Sequence, residues 1–380
     1  EQKSETSSIE IQGGAQLTDF ELSIDNYESN KHFFLSQYFY ENYNIAMQNL
    51  PIISSPVNIT KIEVYITNKN STTINTRNIL AFQDLGEAQN VSSSIVDVSP
   101  SVFAPYYPNN SNNSLNPNGS FIEDVAAQTG DSIRLIDEIT SAFSQYTLDG
   151  NTYFNQAVDY EKIENARRLS NSEYSFHPQL GFVSLNQALN SDEVLAVAFQ
   201  YTSGGMTYQV GEFSTDLTAP SSLILKLLKS TVLDVKEPNW NLSMKNVYSL
   251  GAYQINQQDF TLDILYENPE LGAPVNFLTE GPDGIINTPL LQVFNVDNLN
   301  SNNDPGPDGV FDFLDGILIN SSNGRVYFPM LEPFGCYLRE KFGDNCDVPS
   351  PDNIASNYCF DALYDSTQAA AQQLAELNKF

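Results

Sequence analysis

The sequence predicts an α+β fold that is rich in β-structure, with antiparallel sheets or sandwich-like lobes and a few helices. Residues 59–67 alternate between apolar and polar side chains, which is typical of a half-buried strand. Two further β-like runs, 194–201 and 207–213, are joined through Ser203-Gly204-Gly205, a pattern that predicts a β-hairpin. Apolar residues at helical spacing are confined to a few segments of the chain.

The N-terminal elements follow from the same patterns. Residues 10–24 alternate loosely and predict a first strand. The dense aromatic residues of 30–48 have helical spacing, and Pro51 would end the helix that they predict. After the strand at 59–67, a second strand is predicted over 78–85.

A change of composition marks the predicted domain boundary. Residues 105–120 are rich in Asn, Ser and Pro, which is typical of a long loop or linker. This divides the chain into a β-rich N-terminal lobe over 1–104 and a second α+β lobe over 121–345. Residues 346–380 would form a C-terminal tail with a helix.

The second lobe is predicted to hold most of the helices. Helical spacing of apolar residues predicts a helix over 131–146, with Asp131 as its N-cap. A shorter, charged helix is predicted over 159–169, and residues 223–233 fit either a helix or a buried strand. The last predicted elements are strands at 245–266 and 290–296 and an Ala- and Gln-rich helix at 366–377.

The charge of the chain is strongly one-sided. Among its 380 residues there are 17 Lys and Arg but 47 Asp and Glu, so the formal net charge is −30. Nucleic-acid binding needs clustered basic residues, so no nucleic-acid partner is expected. An anionic membrane surface would also repel this chain. The composition favours cations and basic partners.

The three cysteines all lie near the C-terminal end. Cys336 and Cys346 flank a short polar turn and could form a local disulfide, whereas Cys359 would remain unpaired. Three separate thiols are the alternative. The polar first residues do not resemble a signal peptide, and no apolar run has the length of a membrane-spanning helix. We therefore expect a mature domain or an excised fragment.

No familiar catalytic motif is found in the sequence. The patterns G-x-S-x-G, H-E-x-x-H, the P-loop and G-x-G-x-x-G are all missing. Of the two histidines, His32 is expected to be packed, and His177 lies in a loop before Pro178. The sequence therefore predicts that the chain is not an enzyme and has no catalytic or cofactor-binding residues. A pair of carboxylates of the glycosidase kind stays an open alternative.

One acidic stretch has the spacing of a calcium loop. Positions 1, 5, 7, 9 and 12 of a twelve-residue loop would be taken by Asp304, Asp308, the Val310 carbonyl, Asp312 and Asp315. Gly306 offers no ligand at position 3, and Asp315 is shorter than the usual Glu. Calcium is therefore the one cofactor considered. The preferred alternative is that this turn, like the similar one at 281–287, is a plain β-turn.

The acidic turn and the 20 Tyr and 23 Phe residues also motivate an alternative function. Carbohydrate binding would need exposed aromatic rings that stack on sugars. The alternative is thus a calcium-dependent surface module for carbohydrate binding or adhesion. Most aromatic residues are nevertheless expected in the core.

Several segments, in one order over about residues 20–335, carry a family resemblance. They are 27–35, 49–53, 60–68, 75–79, 192–198, 208–214, 225–230, 307–313 and 324–335. Together they resemble the SprA/Sov family, the outer-membrane translocon of the type IX secretion system in Bacteroidetes.

The resemblance implies a part of a much larger machine. Members of the family are several times longer than this chain and form a large barrel that exports folded proteins, gliding-motility adhesins among them. Soluble extramembrane parts cap or frame that barrel, and this chain would be one of them. Its implied partners are the remaining barrel, accessory translocon subunits and exported cargo. Its implied location is the outer membrane at the cell surface, on the extracellular rather than the periplasmic side. The family brings no catalytic residue and no metal-binding role for Asp304 or Asp308.

Overall fold

The computed structural model is β-rich with a few helices, which confirms the predicted α+β class. It describes residues 20–69, 74–87, 129–145, 147–148, 151–152, 155–268, 271–350, 352–374 and 379–380. The predicted loop at 105–120 lies outside these residues, as does most of the predicted strand at 10–24.

The described strands are numbered in chain order. They are β1 (His32–Phe34), β2 (Val57–Ile66), β3 (Thr76–Phe82), β4 (Thr147–Leu148), β5 (Asn151–Thr152), β6 (Tyr160–Arg168), β7 (Tyr174–His177), β8 (Phe182–Leu185), β9 (Leu195–Ser203), β10 (Met206–Val210), β11 (Leu223–Lys229), β12 (Val247–Ser249), β13 (Tyr266–Glu267), β14 (Pro274–Val275), β15 (Ile319–Asn320) and β16 (Arg325–Tyr327).

The described α-helices are numbered in the same way. They are α1 (Gln37–Ala46), α2 (Ile139–Gln145), α3 (Asn239–Leu242), α4 (Leu290–Val293), α5 (Leu338–Lys341), α6 (Ala362–Asp365) and α7 (Gln368–Gln372). Within the part of the chain that the structure describes, none of the helices has the length and apolar character needed to cross a membrane.

Five strands close into a small barrel. The strand order is β2-β9-β11-β3-β6, and β6 returns to pair with β2. The β11–β3 pair is parallel and the other four pairs are antiparallel. The hairpin strand β10 extends the sheet from the other end of β9.

Alternate residues of all five strands pack into one separate apolar cluster, which identifies the barrel interior. The cluster includes Tyr65, Ile79, Ala81, Ala166, Ala196, Ala198, Leu223, Leu225 and Leu227. A barrel of five strands is narrow, so four of these positions carry alanine. These nine side chains are all 0% exposed and fill the interior of the barrel.

The opposite faces of the barrel strands belong to the main core. Residues such as Val64, Phe82 and Phe199 pack there with helix α1 and with the small sheet β1-β8-β7. Helix α1 is anchored by Tyr43, whose hydroxyl donates to the Phe328 carbonyl at 2.9 Å. A second small sheet, β12-β16-β15, lies beyond it.

The two ends of the described chain are tied together. The Gln368 side chain of helix α7 donates to the Asp25 and Tyr27 carbonyls at 2.9 and 2.8 Å and accepts from the Ser29 hydroxyl at 2.7 Å. The main core accordingly contains residues from Ile24 to Ala371. This arrangement brings the C-terminal segment beside residues near the start of the chain.

Several predicted elements are confirmed. The strands at 59–67 and 78–85 correspond to β2 and β3, and the hairpin is formed by β9 and β10. Residues 223–233, which fitted either a helix or a strand, contain strand β11. Its seven residues are all buried, which explains why no alternation was visible.

Other predicted elements are wrong. The charged helix at 159–169 is strand β6, because its backbone pairs with both β2 and β3 and this pairing overrides its helical propensity. The predicted strand at 290–296 begins with helix α4, since a short apolar run fits a buried helix as well as a strand. The predicted strand at 245–266 contains only the short β12 and the start of β13.

Two predicted helices are shorter than expected. The segment 30–48 begins with strand β1, whose backbone pairs with β8, and becomes helical only at Gln37. The segment 131–146 is divided into a 3-10 turn, Gly130–Arg134, and helix α2. Asp131 is not an N-cap, because it lies inside that turn.

Candidate functional site

The acidic loop predicted to bind calcium is organised by a residue outside the predicted set. Asp297 is fully buried, and its carboxylate accepts hydrogen bonds from the backbone N–H groups of Asp308 and Gly309, both at 3.0 Å. The Gln292 side chain donates to the same carboxylate at 3.1 Å. Asp297 therefore holds the Pro307-Asp308-Gly309 turn in place.

The predicted ligands themselves mostly accept from the backbone. Asp312 is buried and accepts from the N–H groups of Asn298 and Leu299 at 2.8 and 3.2 Å. Burial raises the pKa of Asp312, and the nearby Asp297 and Asp308 carboxylates raise it further.

The remaining predicted ligands lie on the outside of the loop. Asp308 accepts from the Val310 N–H at 3.1 Å, and Asp315 accepts from the Ser321 N–H at 2.8 Å. Asp304 is exposed, and its N–H donates to the Asn300 side chain at 3.1 Å. Among the described residues, no three carboxylates of this loop bring oxygens within 4.8 Å of one another. The calcium site stays a prediction.

The glycines of the two Gly-Pro-Asp-Gly stretches have closely similar φ angles. Gly281 and Gly306 have φ of +139° and +142°, and Gly284 and Gly309 have φ of +88° and +84°. These values lie in the region that favours glycine. The hydrogen bonds differ, because Ile285 and Ile286 donate to the Pro282 carbonyl, whereas the second stretch is held by Asp297.

His32 is packed, as the sequence predicts. Its Nδ1 lies 2.7 Å from the Ser184 hydroxyl and its Nε2 lies 2.9 Å from the Glu28 carboxylate. This order of serine, histidine and carboxylate resembles a hydrolase relay. However, His32 and Ser184 are both buried, so the hydroxyl is not presented to solvent. Glu28 also pairs with Lys31 and Arg325, which indicates a structural ion-pair cluster.

His177 is partly buried at the end of β7. Its ring stacks on Phe182 with centroids 5.5 Å apart, and its Nδ1 accepts from the Leu180 N–H at 3.1 Å. Burial lowers the pKa of His177 to about 4, so the ring is neutral at physiological pH.

The structure pairs Cys336 with Cys346 in a disulfide and leaves Cys359 as a half-buried thiol. Burial raises the pKa of Cys359 to about 12, which makes this thiol unreactive. Glu340 lies beside the disulfide, but the bonded sulfurs are no longer thiolates that could bind a metal. Within the disulfide loop, Arg339 joins Asp344 at 2.7 Å and also contacts Asp361.

The fold and these sites define an acidic α+β protein with a small, filled β-barrel and a turn-rich periphery. Residues 1–186 match the SprA_N family, which is described as a motility related/secretion protein. This match supports membership of the SprA/Sov family and confirms the family that the sequence segments predict. It points to a protein related to motility and secretion. A search of curated proteins found no match.

Proposed function

We propose that this chain is a non-catalytic extramembrane module of a type IX protein-secretion translocon. It would cap or frame the outer-membrane barrel and contact cargo or accessory subunits. The observation that carries the proposal is the family match over residues 1–186, together with the ordered segments that extend the resemblance to about residue 335.

Two physical features support this role. The barrel of this chain is filled by its own side chains, so it would frame a conduit rather than form one. The formal charge of −30 favours basic partners and disfavours close approach to anionic lipid headgroups.

Deletion of this segment from the parent translocon tests the proposed role. We expect the large barrel to assemble but to leak or to fail in export, because the part that covers its mouth is missing. Export and outer-membrane permeability would be measured in the same cells. Normal export with an unchanged permeability barrier would refute the proposal.

The extracellular location can be tested separately. Met206 lies in the β9–β10 hairpin and is 59% exposed. A Met206→Cys substitution should therefore react with a membrane-impermeant maleimide in intact cells. Labelling that requires permeabilised outer membranes would place this segment in the periplasm instead.

A further inference from the structure

A small polar cavity lies between four segments that are distant in sequence. It has a volume of about 100 Å³ and is lined by helix α1, by helix α3 with its flanking residues, by residues 331–332 and by the end of helix α6. Trp240, Tyr40 and Tyr364 contribute its aromatic wall, and Lys245, Glu332 and Asp365 contribute its charges.

The one ammonium group among these residues is already engaged. Lys245 is only 8% exposed, and its Nζ donates to the carbonyls of Trp240 and Ser243, both at 3.1 Å. The same Nζ lies 4.2 Å from the centre of the Trp240 ring. Little hydrogen-bonding capacity of Lys245 is left for a ligand.

The Glu332 and Asp365 carboxylates can still accept hydrogen bonds from a ligand. Neither of them lies within 4.0 Å of the Lys245 ammonium in the described structure. The backbone N–H of Cys336 partly stabilises the charged form of Glu332, whereas the Asp365 side chain has no hydrogen-bond partner among the described residues. Burial raises the pKa of both carboxyl groups, because no cation compensates them fully.

The sign of the charge decides which ligand fits. Two carboxylates against one engaged ammonium repel an anion and leave acceptors for a hydrogen-bond donor. The faces of Trp and Tyr rings also attract cations. The volume excludes large ligands, because drug-sized molecules need about 300 Å³ or more. It suits the tip of one side chain, since a cavity of about 150 Å³ holds benzene.

We infer that this cavity binds the ammonium or guanidinium group of a lysine or arginine side chain from a protein partner. The cation would enter between Glu332 and Asp365 and lie against the aromatic wall. Only the expectation that the cation belongs to a protein rests on the proposed function.

Trp240 makes the test direct, because it is the single tryptophan of the chain. The purified chain would be titrated with N-acetyl-lysine amide and with N-acetyl-arginine amide while tryptophan fluorescence is recorded. N-acetyl-norleucine amide supplies a similar chain without charge, and putrescine supplies a free diamine. We expect a saturable change with at least one basic amide and none with the norleucine amide.

Substitutions then connect binding to the carboxylates. Asp365→Asn and Glu332→Gln should each lower the affinity for the basic amide by about tenfold. This is the loss expected for one charge-assisted hydrogen bond. Asp365 is exposed, so its substitution should leave the fold intact. Glu164→Gln, at an exposed acid of strand β6, is the matched control and should leave the titration unchanged.

Three outcomes would overturn the inference. They are no saturable response to either basic amide, an equal response to the norleucine amide, and binding unaffected by both carboxylate substitutions. If putrescine saturates in the first case, the ligand is a free diamine rather than a protein side chain. These measurements use the purified chain, so their failure is distinguishable from a failure of the export experiment.

Discussion

At the scale of single residues, the main feature is a set of ionisable side chains inside the core. Lys226 is fully buried on strand β11, and its Nζ lies 2.6 Å from the Glu87 carboxylate. It also donates to the Gln83 carbonyl, and Glu87 accepts from the Gln37 N–H at 3.1 Å. Each buried charge therefore depends on the other, because neither one is solvated by water.

Removing one partner of this pair should be costly. We expect Lys226→Met to lower the free energy of unfolding by about 3–5 kcal/mol, since Glu87 would be left as an uncompensated buried charge. The double variant Lys226→Met/Glu87→Gln should recover part of that loss. Urea denaturation measures both values.

The control for this pair is an exposed one. Lys69 and Asp192 are 2.9 Å apart, with side chains that are 37% and 71% exposed, and Lys69→Met should leave the urea midpoint unchanged. Equal effects of the Lys226 and Lys69 substitutions would contradict the importance of burial.

His177 predicts a specific pH dependence of stability. The pKa of His177 is about 4 in the folded chain and about 6.5 in an unfolded one. Below pH 6.5 the unfolded state therefore binds the proton more readily, and stability falls until the pH reaches about 4. The loss is at most about 1.4 kcal/mol for each pH unit.

The variant His177→Gln isolates this contribution from that of the carboxyl groups. Free energies of unfolding would be measured between pH 7 and pH 4. We expect a shallower slope in the variant than in the original chain. Parallel curves would show that His177 does not titrate as its burial implies.

At the scale of elements, the sequence predicts the strands and helices whose apolar side chains recur with the period of that structure. Strand β2 alternates and was found, as was the hairpin around Gly204. Strand β6 is not predicted, because its charged residues are typical of a helix and its pairing is with two strands that are distant in sequence. The residues near strand β6 in the sequence give no indication of these partner strands.

The acidic loop and the cavity around Lys245 also differ in how far they can be predicted from the sequence. The Asp308-Gly309 turn was visible because its residues are adjacent. Asp297 holds that turn but is eleven residues from Asp308, and it is not part of a recognisable sequence motif. The cavity around Lys245 is lined by four segments that only the folded chain brings together.

Two hairpin glycines test packing at the element scale. Gly181, between β7 and β8, and Gly204, between β9 and β10, have φ of +61° and +57°. A Cβ at Gly181 would lie 2.1 Å from the Phe39 ring, whereas a Cβ at Gly204 would meet nothing within 4 Å. Backbone strain is similar at both positions, so the difference between them reports the contact with Phe39.

Gly181→Ala should consequently destabilise the chain by about 1–3 kcal/mol more than Gly204→Ala. Urea denaturation of the two variants provides the comparison. Equal losses would mean that helix α1 moves aside without cost.

The acidic loop makes a further prediction at this scale. Asp297 and Asp312 already bind backbone N–H groups, so we expect the same melting temperature in calcium and in chelator. A rise in calcium that disappears in Asp308→Asn would instead establish the metal site. Asp283→Asn, in the related turn, serves as the control for that substitution.

At the scale of the whole molecule, strands from both sides of residues 105–120 form one barrel. Strands β2 and β3 precede that segment, and β6, β9 and β11 follow it. The two preceding strands do not pair with each other in the described barrel. Strand β2 pairs with β6 and β9, whereas β3 pairs with β6 and β11.

This topology predicts how fragments of the chain will behave. The fragment 1–104 contains β2 and β3 but none of their partners, so the apolar faces of both strands would be exposed and their backbone groups unpaired. We expect this fragment to lack stable structure, as measured by circular dichroism and by the dispersion of its amide NMR signals. The intact chain is the control and should unfold cooperatively in urea. A fragment with dispersed signals and its own cooperative transition would show that residues 1–104 fold without the rest of the barrel. Strands β2 and β3 would then not depend on β6, β9 and β11 for their stability.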